Sequence, residues 1–354
     1  MKTLWILLAA VGLSAGLSAQ NKAPLTLVQT FPLPATVKGP IGRLGVDVAG
    51  HRLFLPAEDA HAVLVLDLRT GALLHTIGDP GGPRAVLFRA DLGSLYIVDG
   101  RTGEVKVYDA GSYREVMSTR RTLGAAVPVM PDARDLGYDP RTKLLYVTSA
   151  GAESDAKGKA ARDKKKTSLL NMVDTSTGYK GSDLEIDGDA LGAMALETKG
   201  PLLYLNNPAK HEIDVIDRVN MVLKAKWPVT MGQDNRAMAL DEASHRLFVG
   251  CASGAVVVFD TKTGTEIKAL PIPAGIDDLA FDPQTRRLYA CCGGDTGTID
   301  VYQEKDGDQF QSLGRVASGP DAGSALLVPE LHRYFVSVPA HGNEPGKVLV
   351  YQVP

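Results

Sequence analysis

The chain has 354 residues, 44% hydrophobic, 22% charged and 6% aromatic, which excludes a disordered or low-complexity polypeptide. Thirty-eight basic residues against 41 acidic ones leave a net charge of −3, so there is no global electrostatic case for nucleic acid. The 3 cysteines are too few for a disulfide framework, and without a C-x-x-C pair there is no zinc-ribbon signature.

In chain order, the first feature is a leader. Lys2 precedes an apolar run from Leu4 to Leu17, closing in the small residues Ser14-Ala15-Gly16-Leu17-Ser18-Ala19. The run is shorter than the ~20 residues a bilayer-spanning helix needs and has the layout of a signal peptide. Residues 1–19 are read as that peptide, with cleavage near Ala19–Gln20, and the expected location is periplasmic or extracellular. No later segment reaches the length of a membrane span.

Residues 20–354 read as one domain built from a repeat. A Leu-aromatic-apolar signature recurs around Phe54, Tyr96, Tyr146, Tyr204, Phe248, Tyr289 and Phe335, spaced 41 to 58 residues apart. Seven residues before each aromatic stands Asp47, Arg89, Asp139, Glu197, Asp241, Asp282 or Val328, mostly acidic turn formers that open a short hairpin. A second apolar stretch ending in Asp follows, as in Val63-Leu64-Val65-Leu66-Asp67 and Val256-Val257-Val258-Phe259-Asp260. Thr-Gly turns at Thr70-Gly71, Thr177-Gly178 and Thr263-Gly264 lead into a third apolar stretch. Each unit predicts four short strands, and no window of ten residues holds a helical period.

Seven such units predict an all-β, seven-bladed β-propeller of four-stranded antiparallel blades. The last unit stops at its third strand, Val348-Leu349-Val350-Tyr351-Gln352, while Leu25-Thr26-Leu27-Val28-Gln29-Thr30-Phe31 precedes the first unit without a partner. Pairing the two closes the ring and removes two exposed strand edges.

These units resemble the YVTN repeats of YncE-like β-propellers. The carriers are Gly82-Pro83-Arg84-Ala85-Val86, Leu95-Tyr96-Ile97-Val98 and Val105-Lys106-Val107-Tyr108-Asp109, followed by a turn. The resemblance spans essentially residues 20–354; it implies architecture and says little about activity. WD-repeat signatures are missing, because Trp227 is the single Trp outside the leader. The tryptophan shared by quinoprotein blades is absent too, which disfavours a quinone cofactor.

Propeller geometry brings the start of each innermost strand to one face of the channel. Twelve and eleven residues before the aromatics stand Gly42-Arg43, Arg84-Ala85, Arg134-Asp135, Gly192-Ala193, Arg236-Ala237, Asp277-Asp278 and Gly323-Ser324. Arg43, Arg84, Arg134, Asp135, Arg236, Asp277 and Asp278, with Asn235 and Asp321 just upstream, form the candidate ligand site. They make either a self-neutralising ring of ion pairs in a wet channel or a pocket for an anionic or hydroxyl-rich ligand.

Blade three carries an insertion, residues 151–168, with Lys157, Lys159, Arg162, Lys164, Lys165 and Lys166 among small and acidic residues. It reads as a solvated loop, a lid over the channel mouth, or an arm for an acidic partner. His61, His211 and His341 fall on channel-face loops, but their blades are not all neighbours, so no metal site is expected. Cys251 and Cys292 are equivalent in adjacent blades, and Cys291 points the opposite way. Parity therefore favours Cys251–Cys291 over Cys251–Cys292 if a bridge forms; a vicinal bridge and three free thiols are the alternatives.

The functional expectation is an exported, non-catalytic, monomeric propeller binding a protein partner or small polar or anionic ligand at the channel face, with no cofactor. The rival is a lactonase-like or other hydrolase that activates water with the Arg/Asp funnel, by analogy with propellers of related repeat type. A buried, perturbed Asp135 or Asp278 in a closed pocket favours the enzyme. Carboxylates all paired to Arg and open to solvent disfavour it.

Overall fold

A computed structural model describes residues 23–118, 127–128, 132–150, 167–306 and 308–354. The leader (1–19) and residues 151–166 of the insertion lie outside them; Ser168 already belongs to the strand Thr167–Asp174. Seven antiparallel sheets stand around one axis. Blade 1 runs outward as Gly45–Asp47, Arg52–Ala57, Ala62–Asp67 and Leu73–Gly78. Blades 2 to 6 occupy 83–128, 136–187, 194–228, 235–271 and 276–317. Blade 2 adds a short strand, Val127–Pro128, on the same edge of Glu104–Asp109 that Glu115–Ser118 occupies.

Blade 7 takes three strands from the end of the chain (Ala325–Val328, Arg333–Val338, Lys347–Gln352) and its outermost strand, Thr26–Pro32, from the beginning. Thr26 pairs with Gln352 and Phe31 with Val348, so the ring closes as the unpaired terminal segments require. Phe31 sits 6.3 Å from the Phe335 ring, adding an aromatic contact to the ladder.

Second strands such as Arg52–Ala57 and Leu202–Asn207 are buried at every position after the first. The reason is that successive side chains point to opposite faces, and a blade has a neighbour on each face. The described residues accordingly form seven apolar clusters, one between each pair of adjacent blades. Every signature aromatic packs toward the following blade: Phe54 meets Val86 and Leu95, Tyr204 meets Leu247 and Val249, and Phe335 returns to Leu53 of blade 1. Burying each is worth roughly 1.5–3 kcal/mol.

Acidic turn residues act as expected. Asp47, Asp139, Asp241 and Asp282 accept N–H bonds from Gly50, Arg141, Ala243 and Gln284 at 2.9–3.1 Å. Among the described residues, helix is confined to the 3-10 turns Pro208–Lys210 and Pro329–Leu331. Five of the seven histidines, His51, His61, His211, His245 and His332, hold left-handed turn positions with φ of 48–59°. That conformation is one His tolerates better than most side chains.

All three cysteines are buried free thiols, the bridge-free alternative, and the conditional Cys251–Cys291 pairing is not made. Cys251 faces blade 4 beside Ile213 and Val215, whereas Cys291 faces blade 7 beside Val336. The two do point oppositely, but away from each other, so two blade thicknesses separate them. Cys292 faces blade 5.

Candidate functional site

The innermost strands of successive blades meet around the axis. Between blades 1 and 2 they bond backbone to backbone, Arg43 N–H to Arg84 O at 2.8 Å and Val86 N–H to Arg43 O at 3.2 Å. A Cβ on Gly42 would fall 2.2 Å from Arg84 O, so this approach requires glycine. Two other seams use a carboxylate instead. Asp135 Oδ2 accepts the N–H of Met194 at 3.3 Å, and Asp278 Oδ2 accepts the N–H of Ala325 at 2.8 Å. Both donors stand ten residues before their signature aromatics, so the two clasps are equivalent.

Three inner strands start with a bulge. Pro83 and Ala85, Asn235 and Ala237, and Ile276 and Asp278 take consecutive ladder positions, which leaves Arg84, Arg236 and Asp277 as extra residues. A bulge frees its side chain from the strand's alternation and re-aims it. Arg84 and Asp277 thereby line a cavity of about 690 Å³ at the channel mouth, together with Arg43, Arg134, Asp135, Asp278 and Asp321. A smaller cavity of about 330 Å³ continues down the channel and shares Arg43, Met238, Asp278 and Leu279 with the first.

Two of the expected residues fall elsewhere. Asn235 is fully buried, its amide donating to Asn206 Oδ1 at 2.9 Å and Glu212 O at 3.2 Å; as the residue preceding the bulge it turns into the sheet. Arg236 is exposed, bonds Asp234 at 2.7 Å, and does not line the cavity.

The arginines of blades 1 to 3 are already engaged. Arg43 Nη1 donates to Asp135 Oδ1 at 2.6 Å. Arg84 donates to Glu58 at 3.1 Å and to Asp132 at 2.6 Å, and Arg134 grips the other oxygen of Asp132 at 2.6 and 2.8 Å. Across the cavity the carboxylates lack such partners. Asp277 has no ion-pair partner within 4 Å among the described residues, and Asp321 has only His341 Nδ1 at 3.5 Å. Asp278 is held by the N–H groups of Leu279 and Ala325.

Burial raises the Asp277 carboxyl, Arg236 opposes this, and Asp321 adds to it. Burial also drives Asp278 up to about 6, against the Ala325 N–H, Arg43 and the Leu279 N–H, with Asp135 reinforcing the rise. Asp135 raises the Arg43 pKa, its nearness outweighing the cost of burial, with Asp278 assisting.

Sequence reasoning missed Lys38, Glu58, Asp132, Met238 and Ser324. Lys38 precedes the first unit, and Glu58 lies in the blade 1 turn between Arg52–Ala57 and Ala62–Asp67, a position the repeat signature does not specify. Asp132 was legible, because Asp132-Ala133-Arg134 repeats the spacing of Asp234-Asn235-Arg236. In both, an aspartate with positive φ stands two residues before the arginine it binds.

Fold and site together define a seven-bladed β-propeller with a charged funnel at the inner-strand face. No family model matches the chain. It is 35% identical over 195 residues to the uncharacterized protein YncE of Salmonella typhimurium, covering 54% of this chain and 49% of that one. Against YncE of Escherichia coli K12 the identity is 28% over 190 residues, 52% of this chain and 47% of that one. The chain spans about half the length of the curated relatives it matches. A chain of a solved crystal structure of a mitotic checkpoint complex superposes over 100% of this chain and 99% of its own, with TM-score 0.73 and 13% identity, a likeness of fold alone. The protein is a seven-bladed β-propeller that is similar to YncE over about half of its length.

Proposed function

We propose that this propeller is a non-catalytic binding protein that takes a small polar ligand into the funnel, and that it works outside the cytoplasm after export. The observation that carries the binding reading is the 690 Å³ cavity, within the ~300–1,000 Å³ usual for small-ligand sites, lined by charged side chains from several blades. Export rests on the charge and apolar run of residues 1–19.

The hydrolase reading draws on one feature, the raised carboxyl of Asp278. Against it, both Asp278 oxygens already accept backbone N–H bonds, from its neighbour Leu279 and from Ala325, which fastens blade 7, and the Arg43 side chain beside it is 48% exposed. That arrangement suits a structural clasp in an open funnel better than a general base in a closed site.

A thermal-shift screen of the purified protein against sugar acids, phosphates, amines and divalent metals tests the binding reading. A ligand that stabilises the protein should lose its effect in Arg84→Ala and Arg134→Ala and keep it in the rim variant Arg236→Ala. Stabilisation that survives the first two substitutions places the ligand elsewhere.

A further inference from the structure

The charges lining the cavity are unevenly spent. On the wall built by blades 1 to 3, each arginine has a carboxylate within 2.6–3.1 Å: Arg43 has Asp135, Arg84 has Glu58 and Asp132, and Arg134 has Asp132. Those guanidiniums are neutralised pair by pair, although Arg84 Nη2 and Arg134 Nη1 still have N–H groups outside these bonds. On the wall built by blades 6 and 7, Asp277 has no ion-pair partner within 4 Å among the described residues. Asp321 meets only an exposed histidine at 3.5 Å. Asp278 uses one lone pair on each oxygen for backbone N–H groups, leaving about two acceptor directions open. Ser324, in the same wall, keeps a hydroxyl without a hydrogen-bond partner. A cavity of ligand size thus presents donors on one side and, on the other, carboxylates that no Lys or Arg within 4 Å among the described residues pairs.

We infer that the funnel's ligand bears a protonated amine, seated between Asp277, Asp278 and Asp321, and a hydroxyl or carboxylate oxygen that accepts from the free N–H groups of Arg84 and Arg134. This rests on the funnel being the ligand site and reverses the sign of charge expected from the arginines alone. A purely anionic ligand would meet arginines already satisfied and three carboxylates that repel it. An ammonium supplies the missing partner on blades 6 and 7. Blade 6 carries Asp277 where blades 2, 3 and 5 carry Arg, and blade 7 carries Asp321 at the position of Asp132 and Asp234 but Gly323 where their arginine partner stands, which makes the asymmetry.

Calorimetric titration at neutral pH tests this with five probes: glucosamine, 6-aminohexanoate, their N-acetylated counterparts, and gluconate. The expected result is binding of at least one amine, about tenfold or more tighter than its acetylated form, since one charge-assisted hydrogen bond is at stake. Asp277→Asn and Asp321→Asn, both outside the blade clasps, should each weaken that amine by about fivefold or more. Acetylated probes or gluconate binding as well as the amines, with loss in Arg84→Ala and Arg134→Ala, would overturn the amine assignment while keeping the funnel as the site. Binding untouched by all four substitutions would overturn both. Failure of every probe to bind would overturn the amine assignment.

Discussion

Arg218 of blade 4 holds its guanidinium Nε 3.1 Å from Oδ2 of Asp139 in blade 3, with each side chain only 1% exposed. The same guanidinium donates to three carbonyls of its own blade, Leu202, Glu197 and Gly200, at 2.5–3.0 Å. One side chain therefore joins two blades at the end of the ring away from the funnel.

Removing Arg218 should be among the costliest single changes in the protein. Arg218→Met leaves Asp139 buried without its buried cation, with only the exposed Arg141 at 3.8 Å, and three carbonyls short of a donor, so about 3–5 kcal/mol of stability should be lost in urea unfolding. Burial alone would raise the Asp139 carboxyl, but the Arg141 N–H, Thr142 and Arg218 outweigh it and hold it below its usual value. Its contribution is therefore present above the unfolded carboxylate pKa and lost as pH falls through the lowered folded value. A loss below about 1 kcal/mol would show the pair to be energetically idle.

Ring closure makes a second prediction. Phe31 is fully buried and presses on Gly71 as well as Phe335, since a Cβ on Gly71 would lie 2.2 Å from the Phe31 ring. Phe31→Ala should cost about 3–5 kcal/mol. Deleting residues 23–32 should do more, because Lys347–Gln352 then becomes an open edge that recruits other chains. Size-exclusion chromatography should show oligomers or aggregate; a monomeric, fully stable deletion would contradict the closure.

The architecture was legible because each blade repeats the same solution. An aromatic every few tens of residues, an acidic hairpin turn and an unpaired segment at each end of the chain are local signals with one geometric answer. The funnel was half legible. Equivalent spacing located Arg84, Asp277 and Asp278, but the sequence does not reveal a bulge, and one bulge separates Arg236 at the rim from Asn235 inside the sheet. Nor could spacing assign partners. Glu58 and Asp132 reach Arg84 from different loops, and only coordinates show that the arginines are satisfied while Asp277 is not. Parity alone could not decide between a Cys251–Cys291 bridge and free thiols for a similar reason: it tells which side chains oppose, not whether they face inward to a shared seam or outward from it.

The free thiols have a direct check. Burial raises Cys251 and Cys292 to about 12 and Cys291 well above its ordinary value. Thiols so disfavoured as thiolates are unreactive. The folded protein should give no thiol signal with a disulfide-exchange reagent, and the unfolded protein should give all 3 without prior reduction. A signal short of that in the unfolded chain would reveal a bridge.

Asp278 gives the funnel a pH dependence of opposite sign to that of Asp139. Its carboxyl, raised to about 6 chiefly by burial, binds a proton more readily in the folded chain than in the unfolded one. The stability it contributes is complete below the unfolded value of about 3.9 and declines as pH rises through about 6. Asp278→Ala removes that titration and also strips the Ala325 N–H of its acceptor. The variant should therefore be less stable than the parent throughout, by a margin that shrinks between about pH 4 and pH 7 by roughly 1 kcal/mol, the full shift being screened by water in the funnel. Urea unfolding across that window checks it. A margin that grows with pH would mean the carboxylate, not the acid, is the form the clasp prefers.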